Sequence, residues 1–156
     1  EENRRAYREV LITTEGMEEY ISGVILFDET IRQKTQDGRP FPEILSGKGV
    51  IPGIKVDKGT EELSEFPGEK VTKGLEGLSE RLKDYKDLGA GFTKWRAVYS
   101  IGHQTPSPGI IERNAEALAQ YALISQQAGL VPNVEPEVLM DGDHPIQKCE
   151  EVTTRV

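Results

Sequence analysis

The sequence is poor in cysteine, in long apolar runs and in positive charge, and each shortage excludes a class of protein. The one cysteine, Cys149, has no partner for an internal disulfide or for a metal site built from cysteines. No apolar run approaches the roughly 20 residues that cross a bilayer as a helix. We therefore expect a protein of the cytoplasm that is not embedded in a membrane.

Negative charge exceeds positive charge. The chain has 19 lysines and arginines against 27 aspartates and glutamates, which gives a net charge of -8. A surface of this sign repels nucleic-acid backbones and anionic lipids, so we expect neither as a partner. With 156 residues, the chain is long enough for one domain with a hydrophobic core.

Apolar runs of strand length alternate with helical patterns along the chain. The predicted strands cover residues 22–27, 50–59, 91–98 and 130–137, and the predicted helices cover residues 2–13, 41–45, 71–88, 109–128 and 145–156. Residues 60–70 are expected to form a polar loop. Successive strands lie about thirty to forty residues apart, which is typical of βα units in a parallel sheet. The first run is apolar throughout, which favours a strand covered on both faces.

Three of the predicted strands end in pairs of charged residues. The members of each pair are two positions apart: Lys55 and Asp57, Lys94 and Arg96, and Glu135 and Glu137. Side chains alternate between the faces of a strand, so both members of a pair share one face. Apolar residues largely occupy the opposite face. Because sites of parallel α/β folds form at the carboxyl ends of strands, we expect these charges to converge on a site.

Two other interpretations remain open for these charged residues. Lys94 and Arg96 are also compatible with an edge strand whose outer face is solvated, since edge strands often carry lysine. All three pairs are also compatible with structural ion pairs that take no part in chemistry. Three strands with the same arrangement at the same end favour the site over both alternatives.

Several segments resemble class I fructose-bisphosphate aldolase, in the order and spacing of that family. They are Gly23-Val24-Ile25-Leu26-Phe27-Asp28-Glu29-Thr30, Asp37-Gly38-Arg39-Pro40-Phe41-Pro42, Gly53-Ile54-Lys55-Val56-Asp57-Lys58-Gly59, Gly74-Leu75-Glu76-Gly77-Leu78, Phe92-Thr93-Lys94-Trp95-Arg96 and Val131-Pro132-Asn133-Val134-Glu135-Pro136-Glu137. The resemblance implies an α/β fold, a TIM barrel of eight βα units, with this chain covering about the second to fifth. Residues 1–156 would then be part of a single domain, because a whole barrel needs about 250 residues.

The resemblance also implies the chemistry. The family cleaves fructose 1,6-bisphosphate to dihydroxyacetone phosphate and glyceraldehyde 3-phosphate through a lysine Schiff base, without metal or cofactor. By position, the resemblance implies that Lys55 binds a phosphate group and that Arg96 lies near that phosphate. It implies that Lys94 contacts the substrate hydroxyls near the Schiff-base amine and that Glu135 transfers protons. Asp57 and Glu137 are expected to support these residues.

The sequence departs from the family pattern in a few places. Thr93 and Asn133 stand where alanine and isoleucine are common. The lysine that forms the Schiff base is expected beyond Val156, and the aspartate of the first strand before Glu1, so residues 1–156 alone are expected to be inactive. The parent protein is expected to be a homo-oligomer. The alternative function is a non-catalytic half-barrel that acts only by self-association through its open sheet edges.

Overall fold

The computed structural model describes all residues from 1 to 156. Six strands are present: β1 (Gly23–Leu26), β2 (Ile51–Lys55), β3 (Thr60–Leu63), β4 (Phe66–Thr72), β5 (Phe92–Tyr99) and β6 (Val131–Val138). Six α-helices are present, together with a 3₁₀ turn at Met17–Glu19: α1 (Glu2–Thr13), α2 (Asp28–Ile31), α3 (Phe41–Gly47), α4 (Leu78–Asp87), α5 (Pro108–Gln127) and α6 (Ile146–Arg155). No helix combines the length and the apolar character that crossing a membrane requires.

Four strands form one parallel sheet in the order β1-β2-β5-β6. All three pairings in this sheet are parallel, and the longest runs in continuous register from Phe92 beside Val131 to Tyr99 beside Val138. Parallel neighbours require crossover connections, and α-helices lie in each of them. The predicted βα alternation and the four predicted strands are confirmed, with boundaries that shift by a few residues.

The hydrophobic core lies between this sheet and the helices that cover one of its faces. The fully buried side chains of largest volume are Trp95, Tyr121, Phe41, Ile31, Leu45, Ile54, Leu78, Leu82, Ile110, Val50, Val56 and Val152. Helix α5 packs on the face of the sheet opposite the site described below. It begins at Pro108, where the missing N–H is harmless, and the Ser107 side chain accepts a hydrogen bond from the Ile110 N–H at 3.3 Å.

Residues 60–72 correct two of the predictions. The expected polar loop is an antiparallel hairpin of β3 and β4, and the helix expected from residue 71 begins only at Leu78. Phe66 packs against the core, so the segment has an apolar anchor that its polar composition hides. Gly74 and Gly77 adopt φ values of +127° and +62°, which a helix interior does not tolerate, and they delay the start of α4.

Strand β1 also differs from its prediction, because one of its faces is open. Ile25 is 43% exposed, and Phe27, the residue after the strand, is 59% exposed. Within residues 1–156, β1 and β6 are the two edges of the sheet, and neither has a partner on its outer side. The apolar run of β1 therefore predicts its strand conformation correctly but not its burial.

Candidate functional site

The charged side chains of β5 and β6 meet on the face of the sheet that α5 does not cover. The register places Lys94 beside Asn133 and Arg96 beside Glu135. The ion pairs run diagonally across this register: Lys94 Nζ lies 2.8 Å from a Glu135 carboxylate oxygen. Arg96 Nη1 lies 2.8 Å from a carboxylate oxygen of Glu137. Each cation thus contacts a carboxylate two positions beyond its neighbour in register.

The two ion pairs differ in their access to solvent. The Lys94 side chain is 16% exposed, whereas the Arg96 side chain is 45% exposed. The pair of Lys94 and Glu135 is therefore the inner one, and water screens its charges less. An inner carboxylate in contact with an ammonium group and still open to one side is well placed to exchange protons with a bound molecule.

Strand β2 adds a third cation to this face. Lys55 lies beside Lys94 in the register of β2 and β5, so the two lysines are neighbours on adjacent strands. The Lys55 ammonium group contacts the carboxylate of Asp57, whose side chain is only 4% exposed. The second carboxylate oxygen of Asp57 is buried and has no hydrogen-bond partner. The six charged residues predicted to converge are therefore arranged as three ion pairs on adjoining strands.

One alternative interpretation of β5 is wrong. The strand is hydrogen-bonded to β2 on one side and to β6 on the other, so it lies inside the sheet and is not an edge strand. Its cations consequently cannot serve to block edge-to-edge pairing. The second alternative, structural ion pairs without chemistry, predicts the same contacts and is separated from the site only by activity measurements.

A cleft of about 430 Å³ opens next to Lys55 at the carboxyl ends of β1 and β2. Besides Lys55 and Asp57, its lining includes Phe27, Asp28, Val56, Lys58, Gly59, Arg81 and Tyr85. The Lys55 ammonium group lies 5.9 Å from the centre of the Phe27 ring, within the range of a cation–π contact. Cations that line an open cleft attract anionic ligands, and phosphate groups in particular.

Two polar side chains that support this region were not identified from the sequence. The Arg81 guanidinium donates hydrogen bonds to the backbone carbonyls of Val56, at 3.0 Å, and Gly74. It thereby ties the segment between Lys55 and Asp57 to the loop before α4. The Thr72 hydroxyl donates to the Arg96 carbonyl at 2.7 Å. Arg81 lies in a charged helical pattern and Thr72 in a polar segment, so neither carries a sequence signal of its own.

Metal ligands do not cluster in this structure. No group of three or more histidine, cysteine, aspartate or glutamate side chains is placed to hold a metal ion. The functional groups at the site are the amines, the guanidinium and the carboxylates of the three ion pairs. Together they can bind anions and transfer protons.

Comparisons with known proteins identify the family that the chain resembles. The family described as "Glycolytic: Fructose-bisphosphate aldolase class-I" matches residues 1–156. A probable fructose-bisphosphate aldolase class 1 from Xanthomonas campestris pv. campestris is 63% identical over 98% of this chain and 46% of its own length. Fructose-bisphosphate aldolase 6, cytosolic, from Arabidopsis thaliana is 58% identical over the whole chain and 44% of its own length.

A solved structure agrees as well. The fructose-bisphosphate aldolase of Plasmodium falciparum, crystallised in complex with TRAP and a small-molecule inhibitor, superposes with a TM-score of 0.95 at 47% identity. The match covers 98% of this chain and 45% of that one. The chain thus spans a little under half the length of the relatives it matches. The predicted α/β fold of the TIM-barrel class is confirmed, and with a family match over every residue this chain belongs to the class I fructose-bisphosphate aldolase family.

Proposed function

We propose that the full-length protein containing this chain is a fructose-bisphosphate aldolase. It cleaves fructose 1,6-bisphosphate reversibly to dihydroxyacetone phosphate and glyceraldehyde 3-phosphate through a lysine Schiff base, as a step of glycolysis and gluconeogenesis. The observation that carries this proposal is the pair of Lys94 and Glu135, 2.8 Å apart, on the face that also presents Lys55 and Arg96. Family membership supports the reaction, and the charged face supplies groups that suit it.

Lys55 and Arg96, the two cations outside the pair of Lys94 and Glu135, are assigned to the phosphate groups of the substrate. A bisphosphate substrate carries several negative charges, and cations near the mouth of a barrel bind them through charge-assisted hydrogen bonds. Lys55 lines the open cleft, and Arg96 is the more exposed of the two β5 cations. We assign phosphate binding to Lys55 and a position near the phosphate to Arg96. Asp57 and Glu137 hold these two cations in place through their ion pairs.

The inner pair of Lys94 and Glu135 is assigned to the proton-transfer steps. Formation of a Schiff base expels water from a carbinolamine, and the departing hydroxyl must receive a proton. Glu135 is the carboxylate on this face with an inner ammonium partner, and we assign it the role of acid and base. Lys94 contacts the hydroxyl groups of the substrate and adds positive charge near the amine that forms the imine. A neighbouring cation favours the unprotonated, nucleophilic form of such an amine.

Lys94 itself is not assigned as the imine lysine. Its amine is engaged by Glu135 on one side, in an ion pair that an attacking free amine would have to leave. We propose that the imine forms on a lysine outside residues 1–156, on a strand that continues the barrel after β6. The chain then contributes binding and proton transfer, and is expected to be inactive by itself.

A coupled assay tests the proposed function. Full-length protein is supplied with fructose 1,6-bisphosphate, and the dihydroxyacetone phosphate released is followed through NADH oxidation by glycerol-3-phosphate dehydrogenase. We expect turnover that persists in EDTA and is abolished by borohydride in the presence of dihydroxyacetone phosphate, since reduction fixes the imine. Turnover that EDTA abolishes and borohydride spares would contradict the Schiff-base route.

The cellular setting follows from the same proposal. We propose a cytoplasmic enzyme, as two of the relatives are named cytosolic or cytoplasmic isozymes. We further propose that residues 1–156 are part of a single TIM-barrel domain and that the parent protein is a homo-oligomer, which sedimentation equilibrium on the full-length protein tests. A sugar phosphate is the expected partner, with no nucleic acid and no membrane.

A second candidate function is association through the sheet edges. Ile25 is exposed beside the open edge of β1, and Val131 and Val134 are exposed on the open edge of β6. If residues 1–156 act alone as a half-barrel, pairing of these edges would bring two four-stranded sheets together. Sedimentation velocity over a range of concentrations distinguishes a defined dimer of this chain from a monomer or an open-ended aggregate.

A further inference from the structure

Three hydroxyl groups form a buried cluster on the opposite face of β5 from the charged site. Thr93, Tyr121 and Ser125 are all fully buried. Thr93 Oγ1 lies 2.7 Å from Tyr121 Oη and 3.0 Å from Ser125 Oγ. Thr93 belongs to the sheet and the other two belong to α5. Buried hydroxyls that satisfy one another in this way fix the relative position of the elements that carry them.

Tyr121 connects this cluster to both strands of the inner ion pair. Its hydroxyl donates a hydrogen bond to the Asn133 carbonyl at 3.3 Å, and its ring stacks on Trp95 with centroids 5.3 Å apart. Thr93 and Trp95 are the two residues that flank Lys94. Asn133 lies beside Lys94 in the register and two positions before Glu135.

We propose that Tyr121 is a positioning residue for the pair of Lys94 and Glu135. From behind the sheet, its ring holds β5 through Trp95, and its hydroxyl holds β5 through Thr93 and β6 through Asn133. The single side chain thereby sets how the two strands are spaced where the ammonium and the carboxylate project from the other face. The kinetic consequences rest on the proposed aldolase function, whereas the structural consequence does not.

Removal of the hydroxyl alone tests this role. In Tyr121→Phe the ring still stacks on Trp95, but Thr93 and the Asn133 carbonyl each lose their hydrogen bond to the phenol. The strands can then shift relative to each other, and small misplacements of catalytic groups lower rates steeply. We expect kcat of the full-length enzyme to fall about tenfold while KM for fructose 1,6-bisphosphate changes less than about twofold.

Tyr99 offers a matched control. It is also buried on the helix-covered face of β5, yet its hydroxyl has no hydrogen bond to the site strands. Tyr99→Phe removes the same phenolic oxygen and should leave kcat unchanged. If Tyr121→Phe does not fold, Thr93→Val breaks the same contact from the strand side, and Thr93→Ser keeps the hydroxyl and should retain activity.

Amide hydrogen exchange separates this proposal from the proposed function. The amides of the non-proline residues of β6 should exchange faster in Tyr121→Phe than in Tyr99→Phe, whatever the enzyme's activity. Equal exchange in the two variants, or equal kcat, would overturn the role of Tyr121. If the unmodified full-length protein does not cleave fructose 1,6-bisphosphate, the proposed function fails, and the exchange comparison alone decides the role of Tyr121.

Discussion

The two faces of β5 belong to one eight-residue strand and serve opposite purposes. Thr93 and Trp95 are fully buried beneath the helices. Lys94 and Arg96, which alternate with them, pair with carboxylates of β6 on the other face. The pleat of a strand thus keeps the residues that stabilise the fold one position away from those assigned to chemistry. Outside the hydroxyl cluster of Thr93, Tyr121 and Ser125, substitutions on the buried face should chiefly alter stability, and substitutions on the charged face should chiefly alter activity.

The largest effect on stability is expected from Trp95→Ala. Trp95 is a fully buried side chain of the core, and its removal leaves a cavity beneath the sheet. We expect the free energy of unfolding of the full-length protein to fall by about 3–5 kcal/mol, measured by urea denaturation. Arg96→Ala, from the neighbouring position on the charged face, should lower it by less than about 1 kcal/mol. Comparable losses in the two variants would contradict the division between the faces.

Glu135→Gln should lower activity and leave stability nearly unchanged. The amide preserves the size of the side chain but cannot act as a base, so kcat should fall by about 10²–10⁴-fold in the coupled assay. The urea midpoint should change little, because the side chain is partly exposed. Glu116→Gln is the matched control: this glutamate lies on the exposed side of α5, 3.9 Å from Arg113, and its variant should retain full activity. Near-normal turnover in Glu135→Gln would show that the pair with Lys94 is structural.

Alkaline pH should lower the free energy of unfolding, because tyrosines of the buried face then ionise. Burial raises the pKa of Tyr99 and of Tyr121 to about 12, from an ordinary value of 10.0. A folded-state pKa above the unfolded value adds stability that is complete below pH 10 and is lost as the pH rises toward 12. For Tyr121 this amounts to roughly 2–3 kcal/mol.

The test of this dependence is urea denaturation at a series of pH values. Tyr121→Phe has no phenol to ionise, so its stability should fall less steeply than that of the unmodified protein in this window. Identical slopes for the two proteins above pH 10 would contradict the assignment.

The smallest effect is expected for the ion pairs of Arg32, which does not itself line the cleft although its partner Asp28 does. Arg32 contacts the carboxylates of Asp28 and Asp84 at the surface, and its side chain is substantially exposed. Arg32→Ala should lower the free energy of unfolding by at most about 1 kcal/mol and leave kcat unchanged. The difference should shrink in about 1 M salt, which screens exposed charges. A loss of activity would mean that the charged site extends to α2.

Much of the fold could be predicted from alternation along the chain. The strand period of two identified the buried and the charged positions of β5, because successive side chains point to opposite faces of a strand. The same reasoning failed at the hairpin of β3 and β4, where Leu63 and Phe66 pack on the core among mostly polar residues. It also failed at the start of α4. Leu75 fits the helical spacing, but Gly74 and Gly77 have positive φ angles that keep Leu75 out of the helix.

The convergence of the charged residues could be predicted from the sequence, but their individual contacts could not. Spacing alone indicated that Lys94 and Glu135 would share a face. It could not indicate that Lys94 pairs with Glu135 while Arg96 pairs with Glu137, because this depends on the register of two strands distant in sequence. Tyr121 was hidden for the same reason, since its contacts with Thr93 and Asn133 exist only after α5 packs on the sheet.

The position of the trapped imine tests the assignment of the Schiff-base lysine most directly. Full-length protein is treated with dihydroxyacetone phosphate and borohydride, digested, and mapped by mass spectrometry. We expect a single modified lysine outside residues 1–156, with Lys55 and Lys94 unmodified. A stable adduct on Lys94 would contradict it, because the ammonium group that pairs with Glu135 would then be the nucleophile itself.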